Sequence, residues 1–185
     1  MLIRHADPAG DAGACAELYA PYVTAGVASL EEVAPSADEM AARIESVTAR
    51  HPWLVAELDG AVVGYAYASE HRTRASYRWA ADTTVYIASG HHRRGIGRAL
   101  YDALLALLVR QGIYVACAGI TLPNPASVRL HQSLGFRPVG VYRQIGFKHE
   151  RWLDTGWYET VLREPTPGVA PAEPGPPARL ERSER

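Results

Sequence analysis

The sequence predicts an α/β (α+β) fold, a mixed sheet of seven strands with four helices on its faces. Three observations predict it. Helical spacing at i, i+3, i+4 and i+7 alternates with short runs of β-branched and aromatic residues. A capping box, a Gly-rich turn and an Asn-Pro pair mark helix starts. The signals fall in the order β-α-α-β-β-β-α-β-α-β-β, within a length of 185 residues that suits one core.

Leu2 and Ile3 form a short first strand. Cys15, Leu18, Tyr19 and Tyr22 repeat at helical spacing, so a first helix is expected over about 11–23. After a loop from Thr24 to Pro35, Ser36-Ala37-Asp38-Glu39 opens a second helix with Met40, Ile44 and Val47 on its apolar face. Trp53–Leu58 and Ala61–Ala68 are strand-forming runs joined by Asp59-Gly60, a two-residue hairpin signal. Asp82–Ile87 is the next strand, and it ends in a Gly-rich turn. Leu100, Leu104, Leu107 and Leu108 mark a third helix that stops at Gly112, and Tyr114–Ile120 is a buried strand. Asn124 caps a fourth helix with Pro125 in its first turn, and Gly135 ends it. Strands over about 137–147 and 150–161 complete a domain spanning 1–162. Residues 165–177 hold six of the 13 prolines, so 163–185 is expected to be an extended or disordered tail.

Composition excludes several function classes. A net charge of -1 argues against nucleic-acid binding, which leaves a basic footprint. No run of apolar residues is long enough to span a membrane, and the N-terminus lacks a signal-peptide shape, so a cytoplasmic location is expected. Cys15 and Cys117 form no CxxC pair and are read as buried thiols. His91-His92 is a polar turn without an evident third ligand, so no metal site is expected. Met40, Trp79, Trp152 and Trp157 are read as packing residues.

The turn His92-Arg93-Arg94-Gly95-Ile96-Gly97-Arg98 carries the chemistry. Its two glycines allow a tight turn and close approach to a ligand. The helix that follows presents free N–H groups and a partial positive charge, which suit a pyrophosphate. The P-loop lysine is absent, as is the third glycine of a dinucleotide motif. A structural turn with solvated arginines remains the alternative. This segment resembles the acetyl-CoA pyrophosphate motif of the GNAT acetyltransferase superfamily, with His92 where arginine or glutamine is usual. Asn124–Phe136 resembles that superfamily's second coenzyme motif. The resemblance implies a GNAT-type, mostly antiparallel sheet.

Several further segments resemble the phosphinothricin and methionine sulfoximine N-acetyltransferase branch. They are His51–Glu57, Arg74–Trp79, Thr83–Ile87, Leu122–Asn124 and Gly146–His149. The branch implies a homodimer that acetylates the amino group of a small amino-acid-like molecule, with acetyl-CoA as donor and no metal. It implies main-chain contacts from Val85, Tyr86 and Ile87 to the coenzyme arm, with the Tyr86 N–H facing the oxyanion. Arg93, Arg94, Gly95, Ile96, Gly97 and Arg98 would hold the pyrophosphate, and Asn124 the pantetheine.

An acceptor ammonium must lose a proton before it can attack, so a base is needed. Asp82 stands where the family usually has glutamate, one methylene longer; an ion-paired aspartate is the alternative. His131 occupies the place of a tyrosine that protonates the leaving thiolate, or is structural. Leu30, Arg72, Arg74 and Tyr77 match the branch's acceptor-binding positions, and Glu31 and Glu32 add negative charge beside Leu30. Two other readings stay open: acetylation of a protein N-terminus or lysine, and a coenzyme-binding module without turnover.

Overall fold

The structure is a computed structural model that describes residues 1–180. Its strands are β1 (Leu2–His5), β2 (Trp53–Leu58), β3 (Ala61–Glu70), β4 (Ala80–Ile87), β5 (Val115–Leu122), β6 (Arg137–Lys148) and β7 (Arg151–Val161). Its helices are α1 (Pro8–Thr24), α2 (Ala37–Thr48), α3 (Ile96–Gln111) and α4 (Pro125–Ser133). The seven strands form one sheet in the order β1-β2-β3-β4-β5-β7-β6. Only β4 and β5 pair in parallel; the other neighbours are antiparallel.

Local chemistry sets the boundaries. The carboxylate of Asp7 accepts from the Ala9 N–H and Pro8 enters the first turn, so α1 starts earlier than its apolar spacing suggested. Ser36 and Glu39 form the full capping box of α2. Gly112 ends α3 in the left-handed conformation. A short 3-10 turn at Ala75–Tyr77, unforeseen in the sequence, lies between β3 and β4.

The sheet carries a core on each face. On one, Leu100, Leu104, Leu107 and Leu108 of α3 are fully buried against Leu54, Ala66, Ala81 and Ala116. Each such leucine contributes roughly 1.5–3 kcal/mol of burial. On the other, α1 and α2 bury Cys15, Tyr19, Val23, Met40 and Ile44 against Trp53, Val55 and Tyr65. Both cysteines are buried and free.

Trp152 departs from its expected packing role. It is 61% exposed and meets only the edge of Phe147. Residues 163–180 have no helix or strand, yet they are fastened to the domain. Trp79 Nε1–H donates to the Ala172 carbonyl at 2.8 Å, and Arg78 grips Glu173 through two bonds of 2.6 Å. The Gly175 N–H donates to the Gln111 carbonyl, the Leu180 N–H donates to His5 Nε2, and Ala178 and Leu180 pack on the α3-side core. Composition alone left this segment without a core to join; the groups that receive it lie far away in the chain. No helix among the described residues is long and apolar enough to cross a membrane.

Candidate active site

β4 and β5 pair only at Ala80–Val115, Ala81–Ala116 and Asp82–Cys117, and then part. At the fork the Thr83 hydroxyl donates to the Cys117 carbonyl at 2.9 Å, which satisfies the last carbonyl of the ladder. Beyond it a cavity of about 730 Å³ opens between the strands, floored by α3 and α4.

The ladder direction decides which main-chain groups face this cleft. The Ala88 N–H donates to the Val63 carbonyl at 2.9 Å, and the β3–β4 register is unbroken from there. Strand main-chain groups alternate sides, so Tyr86 and Thr84 point at β3 while Val85 and Ile87 point away from it. The expected oxyanion donor, the Tyr86 N–H, is therefore committed to the sheet, and the free direction belongs to Val85 and Ile87. The Tyr86 ring sits among Tyr19, Tyr22 and Tyr65, where burial holds its hydroxyl far above the usual range. The Ile87 carbonyl is also occupied. Tyr22 O–H reaches it at 2.5 Å and His92 Nε2 at 3.0 Å. His92 thus braces α1 against the turn.

In the Gly-rich turn, Arg93 (φ 59) and Gly95 (φ 79) adopt left-handed backbone, which aims successive N–H groups toward one point. Arg93, Gly95 and Gly97 line the cleft. Arg94, Ile96 and Arg98 do not. Arg94 lies against His91, Ile96 is buried in the core, and Arg98 pairs with Asp102 and donates to the Ser133 carbonyl. Arg129 of α4 lines the cleft as a cation that sequence reasoning missed. Asn124 lines it too, while its side chain caps α4 through the Ser127 N–H. A pyrophosphate-bearing cofactor with a long amide arm fits this cleft: cations and helix α3 at one end, outward main-chain groups along β4.

His131 is 3% exposed, and both ring nitrogens are engaged. Nδ1–H donates to the Ser127 carbonyl at 2.8 Å, so Nε2 accepts the Tyr101 hydroxyl at 2.7 Å. Burial pushes its pKa below the ordinary value, favouring the neutral ring. A neutral histidine with this tautomer has no spare proton for a thiolate. With the Thr83 hydroxyl it holds the Tyr101 hydroxyl in place, and the buried Tyr101 forms part of the cleft floor.

On the opposite side of β4 lies a face shared with α1 and α2. Asp82 projects there, opposite Ser69 and Cys117. His71, two residues beyond Ser69, is its diagonal neighbour on that face. His71 Nδ1 and Asp82 Oδ1 lie 2.7 Å apart. Burial holds the Asp82 carboxyl above its usual range, partly offset by His71 and by the charge of Arg72. The Tyr77 and Trp157 rings each stand edge-on to His71 at 6.0 Å, and the Arg72 guanidinium lies 5.9 Å from the Trp157 ring centre. Burial pushes the Cys117 thiol up to about 11. The donor atoms of His71, Asp82 and Cys117 lie within 4.8 Å of one another.

The structure therefore brings together Asp82, Arg72 and Tyr77. Arg74 instead caps the 3-10 turn on the exposed surface. Leu30 packs on Gly146 of β6, where an added Cβ would sit 2.8 Å from it. Glu31 is not a free repulsive charge: Arg43 grips it at 2.8 and 2.9 Å and lowers its pKa, and Tyr19 O–H donates to it. Lys148 was also missed. Its ammonium is buried and donates to the carbonyls of Val23, Ser29 and Glu31 at 2.5–2.8 Å. The α1–α2 loop is thereby tied to the β6–β7 hairpin.

The chain matches known proteins over most of its length. The family model described as acetyltransferase (GNAT) domain matches residues 4–157. The chain is 36% identical to the phosphinothricin N-acetyltransferase of Streptomyces viridochromogenes over 86% of this chain and 87% of that one. It is 36% identical to the L-methionine sulfoximine/L-methionine sulfone acetyltransferase of Salmonella typhimurium over 89% and 96% of the two chains. Among solved structures, a GNAT superfamily phosphinothricin acetyltransferase from Sinorhizobium meliloti in complex with AcCoA superposes with a TM-score of 0.84. Its sequence identity is 38%, covering 92% of this chain and 95% of that one.

Proposed function

The chain belongs to the GNAT acetyltransferase family, and on that premise we propose that it acetylates the amino group of a small amino-acid-like acceptor with acetyl-CoA as donor. Phosphinothricin and methionine sulfoximine represent the acceptor class. The observation that carries this reading is the position of the fork. β4 and β5 separate immediately beyond Asp82, so the inner end of the cleft begins at Thr83, the residue next to the strand's one carboxylate.

The coenzyme supplies an activated acetyl group. The left-handed turn at Arg93–Gly95, the start of α3 and the side chains of Arg93 and Arg129 hold its pyrophosphate. The outward main chain of Val85 and the Ile87 N–H would hold the pantetheine arm, and one such N–H would serve the thioester oxygen, where developing charge needs a donor. Asn124 lines the arm's path. Tyr101, oriented by His131 and Thr83, forms part of the floor of the same cleft. Across β4, Asp82 provides the basic pole for the acceptor ammonium. Arg72 and Tyr77 present a guanidinium and a phenol to the acceptor's anionic end.

A homodimer is part of the same reading. β6 is exposed along most of its length, and its Val139, Val141, Tyr142, Ile145 and Phe147, with Trp152 of β7 beside Phe147, present apolar surface. Light scattering at micromolar concentration should give twice the monomer mass. A cytoplasmic location fits a charged intracellular co-substrate.

The test is thiol release from acetyl-CoA against a panel of L-amino acids with phosphinothricin and methionine sulfoximine included. Release with either compound supports the reading. Coenzyme binding without release from any acceptor overturns it and favours a non-catalytic module.

A further inference from the structure

We propose that His71, not Asp82, is the group that takes the proton from the acceptor amine, with Asp82 orienting and polarising its ring. The inference rests on the acetyltransfer reading above and names the base within it.

Three features carry the inference. First, an ionised carboxylate can only accept a hydrogen bond, so the 2.7 Å contact places the proton of neutral His71 on Nδ1. That leaves the lone pair on Nε2, which makes no hydrogen bond among the described residues. Second, both side chains reach solvent, Asp82 at 27% and His71 at 16%, so the imidazole is open to an acceptor although most of it is packed. The ring is held on its flanks by Tyr77 and Trp157, two neighbours on the acceptor face, and stays accessible to a small molecule. Third, an aspartate side chain is short, and its Oδ1 stands directly against the ring at 2.7 Å. The imidazole puts a second nitrogen a ring's length beyond the atom that meets Asp82. Carboxylate, imidazole and a nucleophile's proton in line is an arrangement used by unrelated enzymes.

The step balances as follows. An N–H bond of the acceptor ammonium breaks and its proton passes to His71 Nε2, giving an imidazolium beside the Asp82 carboxylate. The freed nitrogen lone pair forms a bond to the thioester carbon, and the C–S bond then breaks. The second departing amine proton goes to the thiolate, and the imidazolium releases its proton to water. The groups around His71 are Asp82 from β4, Cys117 from β5 with Glu159 of β7 beside it, Arg72 next in the chain, and Tyr77 from the 3-10 turn.

His71→Asn separates the two roles. Its amide nitrogen reproduces the Nδ1–H donated to Asp82 but has no basic lone pair. With chelator-treated protein and an acceptor that supports thiol release, His71→Asn should lower kcat/KM about 10²- to 10⁴-fold. The dissociation constant for acetyl-CoA should stay within about twofold, because the coenzyme lies across β4. The acid limb of the wild-type kcat/KM profile should disappear, and added imidazole should restore part of the activity of His71→Ala. If His71→Asn keeps a third or more of wild-type kcat/KM with the same acid limb, Asp82 acts directly and the inference is overturned. A second measurement needs no turnover. Long-range ¹H–¹⁵N spectra should show His71 as the Nδ1–H tautomer in the wild type and a loss of that preference in Asp82→Ala. A proton on Nε2 in the wild type would overturn the inference even where the acetyltransfer reading holds. A wild type that releases no thiol with any acceptor counts against that reading instead.

Discussion

The coenzyme cleft and the acceptor face lie on opposite sides of β4, and they are built in different ways. The cleft is made largely from main chain. Val85, Ile87 and the turn around Gly95 offer backbone groups from one stretch of about a dozen residues, closed by α4. The acceptor face is made from side chains that converge from separate segments: His71 beyond β3, Asp82 on β4, Cys117 on β5 and Trp157 on β7. Main-chain groups are the same for every residue, so the cleft tolerates substitutions such as His92. Side-chain chemistry is not interchangeable, so the acceptor face is where this chain can differ from its relatives.

Four predictions probe that contrast. The largest effect should come from Asp82→Ala, which removes the carboxylate from the acceptor side alone. Its kcat/KM should fall by at least about 10²-fold while calorimetry gives an unchanged acetyl-CoA affinity. Loss of coenzyme binding in this variant would mean the two sides are not independent.

Lys148→Met comes next. It strands three carbonyls that now share one buried ammonium, at a cost of about 3 kcal/mol. Tm should drop by roughly 6–12 °C for a domain of this size, read by calorimetry. The loop that Lys148 anchors contributes Ala28 to the coenzyme cleft, so the acetyl-CoA dissociation constant should rise as well.

Gly97→Val tests the cleft. A Cβ there would already sit 3.2 Å from Leu130 of α4, and two further methyls must push α3 and α4 apart. Acetyl-CoA affinity should weaken about tenfold, corresponding to about 1.4 kcal/mol, with the acceptor KM unchanged.

The smallest effect is thermal and pH-dependent. The Asp82 pKa is raised by burial in the folded protein, so ionising it costs folding free energy. Stability from this group is whole below the ordinary aspartate pKa and declines as pH rises through the folded one. Asp82→Asn keeps the acceptor for His71 Nδ1–H without the charge. It should therefore melt slightly above the wild type at pH 7, and the gap should close in acid. A variant that melts lower at pH 7 would show that the carboxylate is worth more to His71 than burial costs it.

Legibility in the sequence followed the same divide. The element order, the Asp59-Gly60 hairpin, the α2 capping box and the Asn124-Pro125 start of α4 were all readable, because each depends on neighbours within a few positions. So was the Gly-rich turn. Which of its residues face the cleft was not: Arg94, Ile96 and Arg98 share its sequence but turn away, and Arg129 enters from another helix. The Tyr86 N–H looked available until the β3–β4 register committed it to the sheet. His131 looked like an acid until burial and the Ser127 carbonyl fixed its tautomer.

By itself, then, the sequence determined the strands, helices and turns and the family pattern they carry, since capping, periodicity and glycine conformation are local physics. Only the tertiary structure decided the pairing of His71 with Asp82, the burial of Lys148 among three carbonyls and the docking of the proline-rich segment on Trp79 and Gln111. Those contacts join residues 11 to 125 positions apart. A hydrogen bond or an ion pair acts over a few ångströms of space, and the sheet register and helix packing, not distance along the chain, bring such groups within reach.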